Sequence, residues 1–158
     1  QPVGYFDLAD ASIPVLAAPD WVRKKDGDRL LFLCTAAERC PAPTAIEVKG
    51  VVRSETLPAA FQSGPLSPAA LTAQGEANAK RMGSRFHGAE PISVSNVGGV
   101  RMIAEASMGG PVYFVSTWLG RGNRLLDIKV TARDLAQARA LADQAAAALG
   151  PQVFSTGR

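Results

Sequence analysis

The chain has few residues whose type and spacing could do chemistry: one histidine, His87, two cysteines, Cys34 and Cys40, and scattered carboxylates and guanidiniums. A serine hydrolase would need His87 as its base. No Gly-x-Ser-x-Gly elbow accompanies it, and Ser107, in Ala106-Ser107-Met108-Gly109-Gly110, has only part of that pattern. For a metal, His87 and Glu90 stand at ligand spacing in Arg85-Phe86-His87-Gly88-Ala89-Glu90, but they supply an incomplete shell. A solvent-exposed loop histidine is therefore expected, with no metal and no cofactor. A small hydrolase or metal-dependent enzyme using His87 is the alternative.

Other patterns lead in the same direction. Gly98-Gly99 and Gly120-Arg121-Gly122 lie between strand-like runs, whereas phosphate loops open helices, so both are expected to be hairpin turns. Glu105 and Asp127 could converge on an exposed sheet face, yet with Arg101 and Lys129 beside them a cross-strand charge lattice accounts for them. Trp118, followed by Arg121 and Arg124, makes an aromatic–guanidinium corner of the kind used in recognition, and core packing of Trp118 is the plainer account. Arg85 and His87 complete the candidate binding residues. Met82, Met102 and Met108 could line the cavity of a carrier for a small apolar ligand, although ordinary core positions explain them as well.

The cysteines are close in sequence, in Cys34-Thr35-Ala36-Ala37-Glu38-Arg39-Cys40, with Pro41 next. A structural disulfide closing this short loop is the leading expectation over free thiols. A redox pair would more usually be Cys-x-x-Cys, and zinc needs more ligands than the chain offers. Such a bond persists in an oxidising compartment. Gln1 is compatible with signal-peptide cleavage or a boundary set by other means. Together these point to a periplasmic or secreted protein.

The elements that must position these residues come next. The 158 residues suit a single domain, with a core over about residues 5–150 and a short tail over 151–158. Lys and Arg number 17 against 14 Asp and Glu, a modest excess scattered along the chain, so no nucleic acid is expected as partner. No run approaches the ~20 apolar residues of a membrane span. Residues 13–16 read as an edge strand because of Pro14, 29–34 as a strand pairing with it, and 44–53 as a third. After a Pro-rich loop over 54–68, Ser67 and Pro68 announce a helix whose face carries Leu71, Gly75, Asn78 and Met82, ending at Gly83. Strands over 92–97, 100–108, 112–119 and 124–130 then form a meander with one buried face. A final helix, capped by Thr131, covers that face with Leu135, Ala138, Leu141, Ala142, Ala145 and Leu149 and stops at Gly150-Pro151.

This order of elements resembles the PsbP-like fold family. Ser12-Ile13-Pro14-Val15-Leu16-Ala17-Ala18-Pro19-Asp20-Trp21 is similar to the family's opening strand and Pro-x-Trp turn. Val112-Tyr113-Phe114-Val115 and Leu126-Asp127-Ile128-Lys129-Val130, followed by a helix, are similar to its close. The resemblance implies an α+β fold, an antiparallel sheet of six or seven strands between helices in an α/β/α sandwich. Members include extrinsic photosystem subunits, a nuclear-transport cofactor and bacterial envelope proteins of unassigned activity. It therefore implies binding or assembly rather than catalysis: a non-enzymatic accessory protein whose partner is an unidentified envelope protein or small ligand.

Overall fold

A computed structural model describes residues 2–154. In chain order its elements are β1 (Pro2–Phe6), β2 (Trp21–Asp26), β3 (Arg29–Cys34), β4 (Ala45–Leu57), α1 (Ala59–Ser63), α2 (Pro68–Met82), β5 (Arg85–Val94), β6 (Val97–Ser107), β7 (Pro111–Ala132) and α3 (Leu135–Phe154). The strands form one antiparallel sheet in the order β2-β3-β4-β7-β6-β5, with β1 paired to β4. An α+β fold with a seven-stranded sheet between helices is thus what the residues build.

Alternation along the strands sorts side chains onto two faces, and both are covered. On one, Ile46, Val48, Val115, Leu126, Ile128 and Val130 pack under Ala138, Leu141, Ala142, Ala145 and Leu149 of α3. Burying a Val, Leu or Ile of this kind contributes about 1.5–3 kcal/mol. On the other, Val51, Leu57, Val100 and Leu125 pack against Phe61 of α1 and Leu71 of α2. The expectation of a single buried face is corrected accordingly. Arg101, assigned to the exposed side, is 8% exposed; it bonds Thr117 at 3.0 Å and Asp143 of α3 at 2.6 Å.

Residues 13–16 are not a strand. They belong to a segment of turns that crosses the α3 side of the sheet as a strap and sinks Leu8, Ala11 and Ile13 into the core. Hydrogen bonds hold the strap: Arg23 donates to the Ala9 and Ala11 carbonyls, while the Gln152 amide accepts from Ser12 N–H and donates to Ser12 C=O. The strand that pairs with β3 is β2, reached only after Pro19.

Of the glycine-rich stretches, one misleads. The β5–β6 turn is Ser95-Asn96, not Gly98-Gly99; Gly99 lies inside β6, where a Cβ would collide with the Trp118 carbonyl of β7. The expected turn at Gly120-Arg121-Gly122-Asn123 is where β7 folds back on itself: Trp118 bonds Asp127, and Lys129 lies over Phe114, contacts that one extended strand could not make. Its first half pairs with β6 and its second with β4. Leu119 and Leu126 stand symmetrically about the Gly122-Asn123 turn and so share the face toward α3, and Gly122, at φ +60°, supplies the backbone conformation a tight hairpin needs. A Cβ on Gly120 would come within 2.6 Å of Leu57. The β6–β7 turn at Gly109-Gly110 is as expected.

The helices follow their signals in part. Ser67 accepts from Ala70 N–H and Gly83 closes α2 in the left-handed region, but Met82 is exposed and Ala79 takes the buried position. The expected loop over 54–68 contains the end of β4 and helix α1. Asp134, rather than Thr131, caps α3 through Gln137 N–H. α3 also runs through Pro151 to Phe154, so residues 151–154 are packed helix instead of tail, and residues 155–158 lie outside the described residues.

Candidate functional site

The site with most open chemistry lies at one end of the sheet, where α2 gives way to β5 and β6 turns into β7. Gly83 stops α2 and β5 begins at Arg85, directly opposite Glu105 of β6. Between Phe86 and Gly88 the β5–β6 register shifts, leaving His87 as the extra residue, with Gly88 at φ +123°. Such a bulge re-aims a side chain. Phe86 packs on Gly75 of α2, and His87 Nε2 lies 2.8 Å from Glu105 Oε1, its ring 6.2 Å from that of Tyr113. His87 is therefore a strand residue with a carboxylate partner, not a loop residue.

This partnership leaves Arg85 without an ion pair among the described residues, even though Glu105 is its register partner. An open groove of about 330 Å³ lies beside it, lined by Gly83, Ser84, Arg85, Glu105, Ser107 and Pro111 among others. The residues flanking those lining positions in the chain include Met82, 74% exposed, and Met108, 53% exposed. Met102 is partly buried against the opposite cluster, so the three methionines do not line one cavity. Arg133 steadies the turn by donating to the Gly109 and Gly110 carbonyls.

The other expected corner is dispersed. Trp118 is half-buried among the residues under α1 and α2, its indole N–H donating to Asp127 at 3.1 Å. Arg121 donates to the Phe154 carbonyl at 2.5 Å and sits 5.9 Å from its ring, closing the end of α3. Arg124 stacks 4.2 Å over Phe6. Both arginines thus serve residues of the α3 layer, and Trp118 serves the opposite one. Glu105 and Asp127 likewise point to opposite faces and do not converge. On Asp127's face a lattice does form, in which Glu47 pairs with Arg29 and Lys49, while Lys129 lies over Phe114. Burial raises the Asp127 carboxyl above its usual range, opposed by the nearby Lys49 charge and the Trp118 hydrogen bond.

His87 and Glu90 do not act as a ligand pair, since His87 is turned to Glu105. Among the described residues no group of three His, Cys, Asp or Glu side chains could hold a metal ion. Cys34 and Cys40 are joined as a disulfide, their Cα atoms 6.4 Å apart. Glu105 was missed as a site residue because its pairing with His87 depends on the bulge. The one sequence sign of that bulge is Gly88 following His87 in a strand.

No family model matches the chain, and no curated protein matches it. Among solved structures it is similar to the cyanobacterial PsbP protein CyanoP of Synechocystis sp. PCC 6803, at 9% identity and TM-score 0.55, over 84% of this chain and 82% of that one. It is also similar to a protein of Bacteroides thetaiotaomicron VPI-5482, at 12% identity and TM-score 0.48, over 82% of this chain; it spans 41% of that protein's length. A Pseudomonas aeruginosa protein of unknown function aligns at 15% identity and TM-score 0.43, over 80% of this chain and 94% of that one. The likeness to CyanoP bears out the PsbP-like fold, and at that identity it speaks for the fold alone.

Proposed function

We propose that this chain is a non-enzymatic binding or accessory protein of the periplasm or the extracellular space, and that the groove between Arg85 and Glu105 is where it binds. The observation that carries this reading is an open groove lined by the Arg85 guanidinium, which has no ion pair among the described residues, with exposed Met82 and Met108 adjoining its lining segments in the chain. Exposed apolar side chains beside a polar recess are characteristic of interaction sites, and methionine adapts its shape to what it meets. The location draws support from the Cys34–Cys40 disulfide, which an oxidising compartment would preserve.

The test is retention of partners from the envelope fraction on immobilised protein, identified by mass spectrometry. A species held by the native chain and lost with Met82→Ser/Met108→Ser, at an unchanged melting temperature, is expected. Identical retention by both would remove the groove as the binding site. A second reading, a hydrolase using His87, has one observation in its favour: a carboxylate on the imidazole is how a catalytic base is oriented. Hydrolysis of ester substrates abolished by His87→Ala would favour it.

A further inference from the structure

The placement of His87 has a consequence for what the groove can take. Arg85 and Glu105 are direct cross-strand partners, a position at which opposite charges ordinarily pair. They do not pair here, because the bulge brings His87 Nε2 to 2.8 Å from Glu105 Oε1. The carboxylate is engaged by the imidazole and the guanidinium remains available, with Ser84 and Ser107 lining the same recess. Arginine presents a planar fork of donors that matches a carboxylate, and hydrogen bonds between charged groups are the stronger kind. Met82 and Met108 are exposed, and each is next in the chain to a lining residue, Gly83 and Ser107, so two apolar side chains flank the lining segments.

We infer that the groove binds a carboxylate borne on a short apolar stem, held by Arg85, and that His87 is a positioning residue that keeps Glu105 from closing the site. This rests on reading the groove as the binding site. Two sources supply that chemistry: a free medium-chain fatty acid, and the C-terminal carboxylate of a peptide ending in an apolar residue. A second carboxylate in the recess sets a condition on the proposal. Glu105 opposes an incoming anion, so its neutral isostere should bind the anion more tightly.

The experiment is a titration followed by NMR of the Met82 and Met108 methyl groups and the Arg85 Nε–H. The probes are sodium hexanoate, hexan-1-ol, N-acetyl-Ala-Leu and its C-terminal amide. Saturable shifts with hexanoate or the free-acid peptide, and none with the alcohol or amide, are expected; which acid binds more tightly identifies the source. Arg85→Ala should weaken binding about tenfold or more, the loss of a charge-assisted hydrogen bond. His87→Ala should also weaken it, by releasing Glu105 onto Arg85. Glu105→Gln should strengthen it, and His87→Ala/Glu105→Gln should restore binding lost in the single His87 variant, a recovery that a merely structural role for His87 would not produce. Equal shifts with hexan-1-ol, unchanged binding in Arg85→Ala, or no recovery in the double variant would overturn the proposal. If neither acid shifts these signals while envelope partners still depend on Met82 and Met108, the ligand class is wrong and the binding site stands. If both fail, both readings fall.

Discussion

Asp127 shows how far a residue's character can depend on the fold around it. In the sequence it stands in a lattice of charges, alternating with buried Leu126 and Ile128; in the structure it is set beside the Trp118 indole and raised by burial. A carboxyl whose folded-state pKa lies above its unfolded value of about 3.8 holds its proton more tightly when folded, so stability falls as pH rises through the interval between the two. Above that interval the ionised form remains a constant cost. Asp127→Asn keeps an oxygen to accept from Trp118 and removes the charge. Its melting temperature should exceed that of the native protein at neutral pH, with the difference shrinking as the pH is lowered through the titration. A lower melting temperature at neutral pH would mean that Lys49 and Lys129 stabilise the ionised form more than burial opposes it. Neither Asp127's burial nor the His87–Glu105 contact was legible in the sequence. The first depends on a tryptophan on the facing arm of the β7 hairpin, the second on a bulge whose one sequence sign is Gly88.

Among the elements, legibility followed the strength of the local signal. α2 was readable from Ser67, Pro68 and Gly83 because caps act within one turn. The hairpin within β7 was readable from Gly122, which takes the positive φ of its turn, whereas the close approach of Leu57 to Gly120 was not, since it is set by distant chain. Pro151 failed as a stop signal because Phe154, one turn on, is buried and holds the last turn of α3 against the core. The apolar stripe of α3 was correctly placed, and it makes a paired prediction. Leu141→Asp places an uncompensated charge against the sheet and should cost about 3–5 kcal/mol. Arg139→Asp, on the exposed side, should stay within about 0.5 kcal/mol. Chemical denaturation followed by circular dichroism reads both, and equal losses would mean that the helix presents a different face.

At the scale of the whole molecule, the disulfide bears on the proposed compartment. Intact mass without reductant should be two hydrogens below that of the reduced chain, with no thiol titratable after unfolding. Two free thiols in protein prepared under oxidising conditions would count against both the bond and the proposed location. Cys34→Ser/Cys40→Ser should lose about 2 kcal/mol, the loop-closure entropy of so short a crosslink, and keep the fold.

The clasp between Gln152 and Ser12 joins residues 140 apart in a chain that is synthesised from its N-terminal side. The strap is made before the elements that follow it, and it gains this partner only when the turn of α3 that carries Gln152 has been made. Leu8, Ala11 and Ile13 share their core cluster with α3, so they stay without those partners until α3 has been made. The α3 layer of the core can therefore close only after Gln152 has been made, whatever has paired in the sheet before it.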